Sequence, residues 1–333
     1  MLSVINLAAV QLVLGLVPLL VVVPQQRSVP LDAGVQRVGY LGLRPLAESE
    51  PVIVALKDGL RDLGYVEGKN YVLEVRLAND DPGRYPELID ELTNLKVRLI
   101  VAASTPAAIA IHNRNPTMPI VVRGPDLVGA GLALSAGHPG GVATGIEELA
   151  PGMSDKKLRL LKRAVPTISN VAVLSPAPTA TGHAIQFDET QQTAKAIGVT
   201  LHVFQVSATT NLDEVFAEIT KERDEAVLCL GGVLPRPVLK RIVDFAAQHR
   251  LPAMYPARDY IDVGGLMSYA YRSPDMLRFA ATYVDKILKG ARPGDLPLTN
   301  WTKYYLTVNL KAASALGITL GPALVSEADE VVR

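Results

Sequence analysis

The sequence is poor in cysteine, in aromatic residues and in net charge. A single cysteine, Cys229, occurs in 333 residues, so no intrachain disulfide can form, and its apolar neighbours favour a buried thiol in a strand. Lys and Arg total 33 and Asp and Glu total 33, which argues against nucleic acid as a partner. Aromatic residues make up 5% of the chain, so the core must consist mainly of Val, Leu, Ile and Ala.

Motifs of common enzyme chemistry are also missing. No Walker A, Gly-x-Ser-x-Gly or His-Glu-x-x-His sequence occurs, and the five histidines form no metal-ligand pattern. We therefore expect no catalytic residues, no metal and no cofactor. Acidic pairs such as Glu147–Glu148 fall in polar stretches, where we expect them to be solvated. These absences weaken an enzyme interpretation without excluding it, because catalytic triads are assembled in space.

The N-terminal residues 1–30 contain a long apolar run. Val4 to Val23 carries no charge, and about 20 residues suffice for a signal-peptide core or a membrane-spanning anchor. No Lys or Arg precedes Arg27, and no small-x-small cleavage site follows the run. We predict an export segment and leave open its retention as an uncleaved anchor. A lipid anchor is not expected, because no cysteine adjoins the segment.

From Arg37 onward, short buried strands alternate with amphipathic helices. Apolar spacing predicts helices over Val52 to Leu63, Tyr85 to Leu95 and Ala107 to Asn113, with residues 42–51 as a loop. The strands between them are predicted at Val38–Leu41, Tyr71–Leu77, Arg98–Ala102 and Met118–Val122. This alternation predicts an α/β fold in which helices cover both faces of a parallel sheet.

The second half of the chain repeats the order of the first. Asn170–Leu174 corresponds to Arg37–Leu41, and Leu251–Ala253 to Met118–Ile120, at an offset of about 133 residues with a slip at the third strand. The repeat predicts two similar domains. Ligands of open parallel sheets bind outside the carboxyl ends of the strands, so two facing domains would share one cleft that closes by a hinge motion.

A glycine-rich run, Gly137 to Gly145, lies between the two halves. Glycine permits positive φ and Pro139 fixes its own φ, so the run is a bend rather than part of a helix or strand. An ordinary surface turn is one interpretation. Because of its place between the repeats, we predict instead the first crossover between two lobes, with hinge residues Gly140, Gly141 and Gly145.

Several stretches resemble the substrate-binding proteins of ABC transporters, in the group that includes tryptophan and tyrosine binders. They spread from residue 37 to the C-terminus and are Arg37–Leu41, Gly59–Asn70, His138–Gly141 with Thr144–Gly145, Gly264–Tyr269, Tyr283–Gly290, Asp295–Pro297 and Ala328–Val332. The chain departs from the usual family pattern at His138, Val142, Leu127 and Ala270. These departures lie near the expected hinge and cleft, so they bear on the ligand more than on the fold.

The resemblance implies a type I periplasmic-binding fold, with two similar Rossmann-like lobes of parallel sheet joined by a hinge. We expect the first lobe at 37–145, completed by about 272–295, and the second at 146–271, completed by about 296–333. It also implies a monomeric periplasmic receptor that binds a small solute and docks on a permease with its ATPase.

Loops after the strands supply candidate ligand-binding residues. In the first lobe, Arg44 or the hydroxyls of Ser104 and Thr105 suit a carboxylate, and Asp126 suits an ammonium group. The full set is Leu43, Arg44, Ser104, Thr105, Asp126, Ser175, Gly232, Tyr255, Arg258 and Tyr269. Each has a structural alternative, such as an N-cap at Ser104, a turn at Asp126, a surface ion pair at Arg258 or a core ring at Tyr269.

Three functions follow from these observations. The first is the solute receptor of an ABC importer, for an amino acid or an aromatic carboxylate. The second is a ligand sensor of the same fold, soluble or tethered by residues 4–23. The third is an enzyme that turns over a ligand in the cleft. A DNA-binding regulator is disfavoured, because no helix-turn-helix precedes residue 37.

Overall fold

The computed structural model describes residues 34–148, 152–177, 182–231 and 234–333. The export segment expected at residues 1–30 lies outside these ranges. Residues Val35–Arg333 form one compact unit. Within the described ranges, no helix combines the length and apolar character needed to cross a bilayer.

Thirteen strands and eleven α-helices occur in the described residues, in the following order. The first part of the chain contains β1 (Gln36–Gly42), α1 (Leu46–Asp62), β2 (Tyr71–Leu77), α2 (Tyr85–Asn94), β3 (Leu99–Ala102), α3 (Thr105–Arg114), β4 (Ile120–Gly124) and β5 (Ala143–Glu147). The middle part contains α4 (Met153–Ala164), β6 (Asn170–Ser175), α5 (His183–Ile197), β7 (Thr200–Gln205), α6 (Leu212–Glu222), β8 (Ala226–Cys229), α7 (Arg236–Gln248), β9 (Ala253–Tyr255), α8 (Asp259–Asp262) and β10 (Met267–Ala270). The last part contains α9 (Ser273–Leu288), β11 (Thr299–Asn300), β12 (Tyr305–Asn309), α10 (Leu310–Leu316), α11 (Pro322–Glu327) and β13 (Glu330–Val332).

The strands form two sheets with the same internal order. The first sheet runs β11-β5-β4-β3-β1-β2 and the second β13-β12-β10-β9-β8-β6-β7. All pairings are parallel except that of β10 with β12. The order β5-β4-β3-β1-β2 recurs as β10-β9-β8-β6-β7, which confirms the duplication and the predicted α/β class. We call β1–β5, β11, α1–α3 and α9 the first lobe, and the remaining helices and strands the second lobe.

The chain passes between the two lobes three times. The first pass follows β5, the second joins β10 to α9, and the third joins β11 to β12. Helix α9 returns to the first lobe and packs along α1, where its residues share one apolar core with β1 and β3. The approach is close, because a Cβ placed on Gly59 of α1 would collide with the carbonyl oxygen of Arg278 in α9.

Most of the predicted strands and helices are present, with one boundary clearly misplaced. Helix α1 begins at Leu46, within the stretch predicted as a loop, and contains Pro51 as its sixth residue. A proline early in a helix removes one backbone hydrogen bond, and this helix continues through that loss. The strand predicted at Tyr71–Leu77 has those bounds, and the helix predicted from Tyr85 ends one residue earlier than expected.

Aliphatic side chains dominate the cores on both faces of each sheet. The second-lobe cluster around α4 contains Leu158, Leu161 and Val173, each completely buried. Cys229 in β8 is 2% exposed, which confirms the expected buried thiol. Burial raises the pKa of this thiol well above its usual value, so the thiolate is disfavoured.

Candidate functional site

The carboxyl ends of the strands in the two lobes meet across a cleft. Arg44, two residues after β1, donates a hydrogen bond from Nη2 to the carbonyl oxygen of Leu234 at 2.5 Å. Leu234 follows β8 in the second lobe. The Arg44 side chain is 21% exposed and also lies 3.4 Å from a carboxylate oxygen of Asp80. Arg44 therefore bridges the cleft rather than standing as a solvated loop charge.

A buried polar cluster lies where the chain crosses between the lobes. Glu148, the first residue after β5, is 7% exposed. Its Oε1 lies 2.9 Å from Nη1 of Arg123, and its Oε2 accepts a hydrogen bond from the hydroxyl of Tyr271 at 2.9 Å. Its backbone oxygen accepts a hydrogen bond from the hydroxyl of Tyr304. We call Arg123, Glu148, Tyr271 and Tyr304 the crossover cluster, because it contains one residue from each of the three crossings.

Arg123 is the cationic member of the crossover cluster. It stands in β4 and donates to the carbonyl oxygen of Ala103 at 2.6 Å and to the hydroxyl of Ser273 at 3.0 Å. Burial opposes its charge and is the largest single influence, but the Glu148 carboxylate acting together with Tyr271 and Tyr40 outweighs it, so the pKa of Arg123 is raised. Burial, then the Glu148 charge, raises the pKa of Tyr271 well above its usual value, so this hydroxyl remains a donor at neutral pH.

The crossover cluster retains hydrogen-bonding capacity. Among the described residues, Nε of Arg123 and Oε1 of Glu148 are buried and make no hydrogen bond, although Oε1 is ion-paired. Buried polar atoms normally find partners. One donor and one acceptor at the base of the cleft are therefore suited to a small polar or zwitterionic group.

The second-lobe wall of the cleft contains a cavity of about 20 Å³ near the ends of β6 and β8, enough for about one water molecule. Ser175, Gly231 and Tyr260 are among its lining residues. The hydroxyl of Ser175 lies 3.0 Å from Nδ1 of His183, and the backbone N–H of Gly231 donates to the side chain of Gln186 at 2.8 Å. Polar groups on this wall are thus already oriented by neighbours.

The predicted first-lobe residues lie at the expected strand ends and make structural hydrogen bonds there. The hydroxyl of Ser104 accepts from the N–H of Ala107 and caps α3. Thr105 is completely buried and donates to the carbonyl oxygen of Pro125 at 2.7 Å. Asp126, with φ of +53°, accepts from the N–H of Gly129. Leu43 packs partly buried against the apolar core. Ligand contact by these residues remains a prediction.

The predicted second-lobe residues are more dispersed. Tyr255 is 1% exposed and stacks on Tyr260 within the core, with ring centroids 4.7 Å apart. Arg258 pairs with Asp262 and, at 2.9 Å, with Glu330 of β13. Gly232 lies outside the described residues. Ser175 lines the cleft cavity, as noted above.

Tyr269 connects the second lobe to the crossover cluster. Its ring stacks on Tyr304 with centroids 5.5 Å apart, and Nζ of Lys156 lies 4.8 Å from the centroid of the Tyr269 ring. Tyr269 is 8% exposed, so most of the ring surface is already covered by protein. The ring is placed beside the crossings, as the sequence suggested, but chiefly as a packing residue.

The glycine run precedes the first crossing instead of forming it. Gly140 and Gly141 lie in the loop before β5, where the N–H of Gly140 donates to the carbonyl oxygen of Gly294 at 2.9 Å. Gly145 is inside β5 with φ of +141°, and a Cβ there would collide with the backbone of Val122. The chain leaves the first lobe at the other end of this strand, after Glu147. The crossing is therefore displaced from the expected position, because β5 itself belongs to the first sheet.

Sequence reasoning missed the crossover cluster and misjudged its acidic residue. Glu148 and Glu147 were expected in solvent, but Glu148 is buried and the Glu147 carboxylate accepts the N–H groups of Asp126 and Leu127 at 2.6 and 3.0 Å. The available signal was Arg123, a charge at the end of the apolar strand Ile120–Gly124. No group of His, Cys, Asp and Glu residues able to hold a metal occurs within the described ranges.

Comparison with known proteins identifies the family. The family model described as ABC transporter substrate binding protein matches residues 51–332, most of the chain. The chain is a member of this family. Its members bind substrates rather than transform them, so the protein belongs to a non-enzymatic class, and the resemblance seen in the sequence is confirmed.

A curated relative of this substrate-binding protein is the tyrosine-binding protein of Clostridioides difficile strain R20291. The two are 23% identical over 283 residues, which is 83% of this chain and 80% of the relative.

Among solved structures, an ABC domain in complex with L-Trp from Streptococcus pneumoniae has a TM-score of 0.80 at 22% identity, covering 90% of this chain and all of the other. A ligand-free, open substrate-binding protein with adhesive properties from Clostridium difficile has a TM-score of 0.69 at 19% identity, covering 90% and 99%. These likenesses confirm the type I periplasmic-binding fold.

Proposed function

We propose that this substrate-binding protein is the extracytoplasmic receptor of an ABC importer. It binds one small organic solute between its lobes, closes by a hinge motion and delivers the solute to a permease with its ATPase. The observation that carries the proposal is the crossover cluster: buried polar groups at the base of a two-lobed cleft, in a chain of the substrate-binding family.

An aromatic amino acid or a related aromatic carboxylate is the solute class that we propose. One relative is a tyrosine-binding protein and one structural neighbour is a complex with L-Trp. In this chain, Glu148 offers an acceptor for an ammonium group, and Tyr271 and Tyr304 place rings near it. Ion pairing and ring contacts together suit a small zwitterion with a planar side chain.

Closure is proposed to occur about the three crossings, with each lobe moving as one body. The bridge from Arg44 to Leu234 is then a contact that exists only when the lobes approach. We propose lobe boundaries near residue 148 and near the second and third crossings. We no longer propose the run Gly137–Gly145 as the hinge itself. Its glycines are proposed only to allow backbone flexibility in the segment before the first crossing.

The test is a thermal-shift screen of amino acids and aromatic carboxylates, followed by native mass spectrometry of the purified protein. A ligand that binds only the native state stabilises it by about 2.7 kcal/mol at a hundredfold excess over Kd. We expect a raised melting temperature and one bound solute per chain. Chemical conversion of a bound solute would contradict a receptor function.

A tethered ligand sensor is the second candidate, favoured by the apolar run Val4 to Val23 without a small-x-small cleavage site. It predicts that the N-terminal residues remain on the mature protein and that the binding partner is a signalling protein. N-terminal sequencing of the mature protein and co-purification from membranes distinguish the two functions. Export to the periplasm and a monomeric state belong to the first proposal.

A further inference from the structure

The third crossing, residues 301–304, is hydrogen-bonded to the strands on either side of it. Where it leaves the first lobe, β11 pairs with β5, and the N–H of Trp301 donates to the carbonyl oxygen of Glu147 at 2.9 Å. Where it enters the second lobe, β12 pairs with β10, and Tyr305 lies opposite Ala270. The third crossing therefore begins beside the first crossing and ends beside the second.

A tyrosine hydroxyl connects the third crossing to the first. The hydroxyl of Tyr304 donates to the backbone oxygen of Glu148, the residue that directly follows β5. The Tyr304 ring also meets the ring of Tyr271 in the second crossing, with centroids 6.1 Å apart and planes at 74°. Aromatic pairs favour this edge-to-face arrangement. Tyr304 thus contacts residues of both other crossings.

A second tyrosine hydroxyl connects the third crossing to the second. Tyr305, the first residue of β12, donates to Oδ2 of Asp275 in the first turn of α9 at 2.6 Å. The guanidinium of Arg272, a residue of the second crossing, lies 4.0 Å from the centroid of the Tyr305 ring. Nζ of Lys303 lies 3.6 Å from the same Asp275 oxygen. A cation over the ring and a carboxylate at the hydroxyl therefore hold Tyr305 between the two lobes.

A third tyrosine hydroxyl connects the second crossing to the first, because Tyr271 donates to Oε2 of Glu148 at 2.9 Å. Each crossing is thus bonded to both others, and each connection uses a tyrosine hydroxyl. We call Tyr271, Tyr304 and Tyr305 the crossing tyrosines. Two of the three connections end on Glu148, the acidic residue of the proposed solute site.

Segments that are bonded to one another in this way open together. The backbone amides of such a unit exchange their hydrogens through one shared opening, whose free energy is common to all of them. A bond lost at any point in the unit lowers this free energy for every amide in it. Segments that are merely adjacent respond only where the bond was lost.

We propose that the crossing tyrosines join the three crossings into one cooperative hinge. The proposal rests on the proposed closure around a solute, and it names the residues that regulate this closure. Because Tyr271 and Tyr304 both bond to Glu148, a solute ammonium group held by Glu148 acts on the whole hinge. Without these bonds the free protein would sample more arrangements of the lobes, and a solute would have to order them on binding.

Hydrogen exchange, resolved into peptides by mass spectrometry, tests the cooperative hinge without a solute. Tyr304→Phe keeps the ring and removes the hydroxyl that bonds to Glu148. We expect exchange to become about 3- to 10-fold faster, by a common factor, in peptides from all three crossings, the range for losing one hydrogen bond. The matched control, Tyr65→Phe, removes a hydroxyl that donates to Asp285 at 3.0 Å within the first lobe, and should leave the crossings unchanged.

Acceleration confined to the third crossing, or no acceleration, overturns the cooperative hinge. If Tyr304→Phe does not fold, Tyr305→Phe decides, because it removes the bond to Asp275, whose side chain is 34% exposed. We expect the same pattern with a smaller common factor, about 2- to 3-fold. Acceleration limited to peptides that contain residues 275 and 305 overturns the proposal.

Calorimetric titration with L-tyrosine measures the link from the hinge to the solute site. We expect Tyr304→Phe to bind about 3- to 10-fold more weakly than wild type, and Tyr65→Phe to bind equally tightly. A Tyr304→Phe protein that binds as tightly as wild type overturns this link and leaves the receptor function intact. If wild type does not bind L-tyrosine, that solute fails, and the exchange of the crossings alone decides the cooperative hinge.

Discussion

Replacing Glu148 by glutamine tests how much the buried ion pair of the crossover cluster contributes to the stability of the folded protein. The substitution keeps the size of the side chain and removes its charge, so the Arg123 guanidinium loses its ion-pair partner at 2.9 Å. Removing one member of a buried ion pair costs about 3–5 kcal/mol. The Arg123 side chain is 17% exposed and keeps its bonds to Ala103 and Ser273, so we expect the lower end, about 3 kcal/mol. For a chain near 300 residues this corresponds to a drop of about 5 °C in melting temperature.

Urea and thermal denaturation of Glu148→Gln and wild type measure this loss. The matched control is Asp90→Asn, which breaks an ion pair with Arg114 at 2.5 Å whose side chains are about half exposed, and which should cause no measurable loss. The double variant Glu148→Gln with Arg123→Met should recover part of the stability, because no buried charge is left unpaired. A Glu148→Gln protein as stable as wild type would refute a stabilising role of the Arg123–Glu148 ion pair.

Three further outcomes follow from the same structure. Gly59→Ala should destabilise the protein by about 3 kcal/mol or more, because the new Cβ meets backbone of α9, whereas Gly137→Ala, with open space around it, should be neutral in urea denaturation. Lys157 of α4 is 5% exposed, and burial lowers its pKa in the folded protein to about 8, below the value of about 10.5 in the unfolded chain. Between these two pH values the unfolded state binds more protons than the folded state. The free energy of unfolding of wild type relative to Lys157→Met should therefore rise with pH over this range. Cys229 should react with a thiol reagent only at the rate of unfolding, since burial raises its pKa, and rapid labelling of native protein would contradict its burial.

The sequence was sufficient to predict the topology, because strand alternation and helical apolar spacing are both local, periodic patterns. The strand at Tyr71–Leu77 follows from alternation, and the helix from Tyr85 follows from apolar spacing. The repeat between the halves predicted two sheets of the same order. The start of α1 was misplaced because the apolar spacing was followed only from Val52, whereas the helix begins at Leu46 and continues through Pro51.

The crossover cluster could not be predicted because its members are close only in space. Arg123 lies in β4 and Glu148 directly follows β5, whereas Tyr271 and Tyr304 come more than a hundred residues later in the chain. Glu148 is buried by residues from the other two crossings, which the local sequence does not contain. Taken by itself, the pair Glu147–Glu148 therefore looks like an ordinary solvent-exposed acidic pair.

Small-angle scattering during a solute titration tests the central claim most directly. The solute is the one that raises the melting temperature most in the thermal-shift screen, and the measured quantity is the radius of gyration of the wild-type protein. We expect it to fall and to reach its final value at one solute per chain, as the lobes close about the three crossings. A solute that binds with a single site while the radius of gyration stays constant would contradict closure around the ligand.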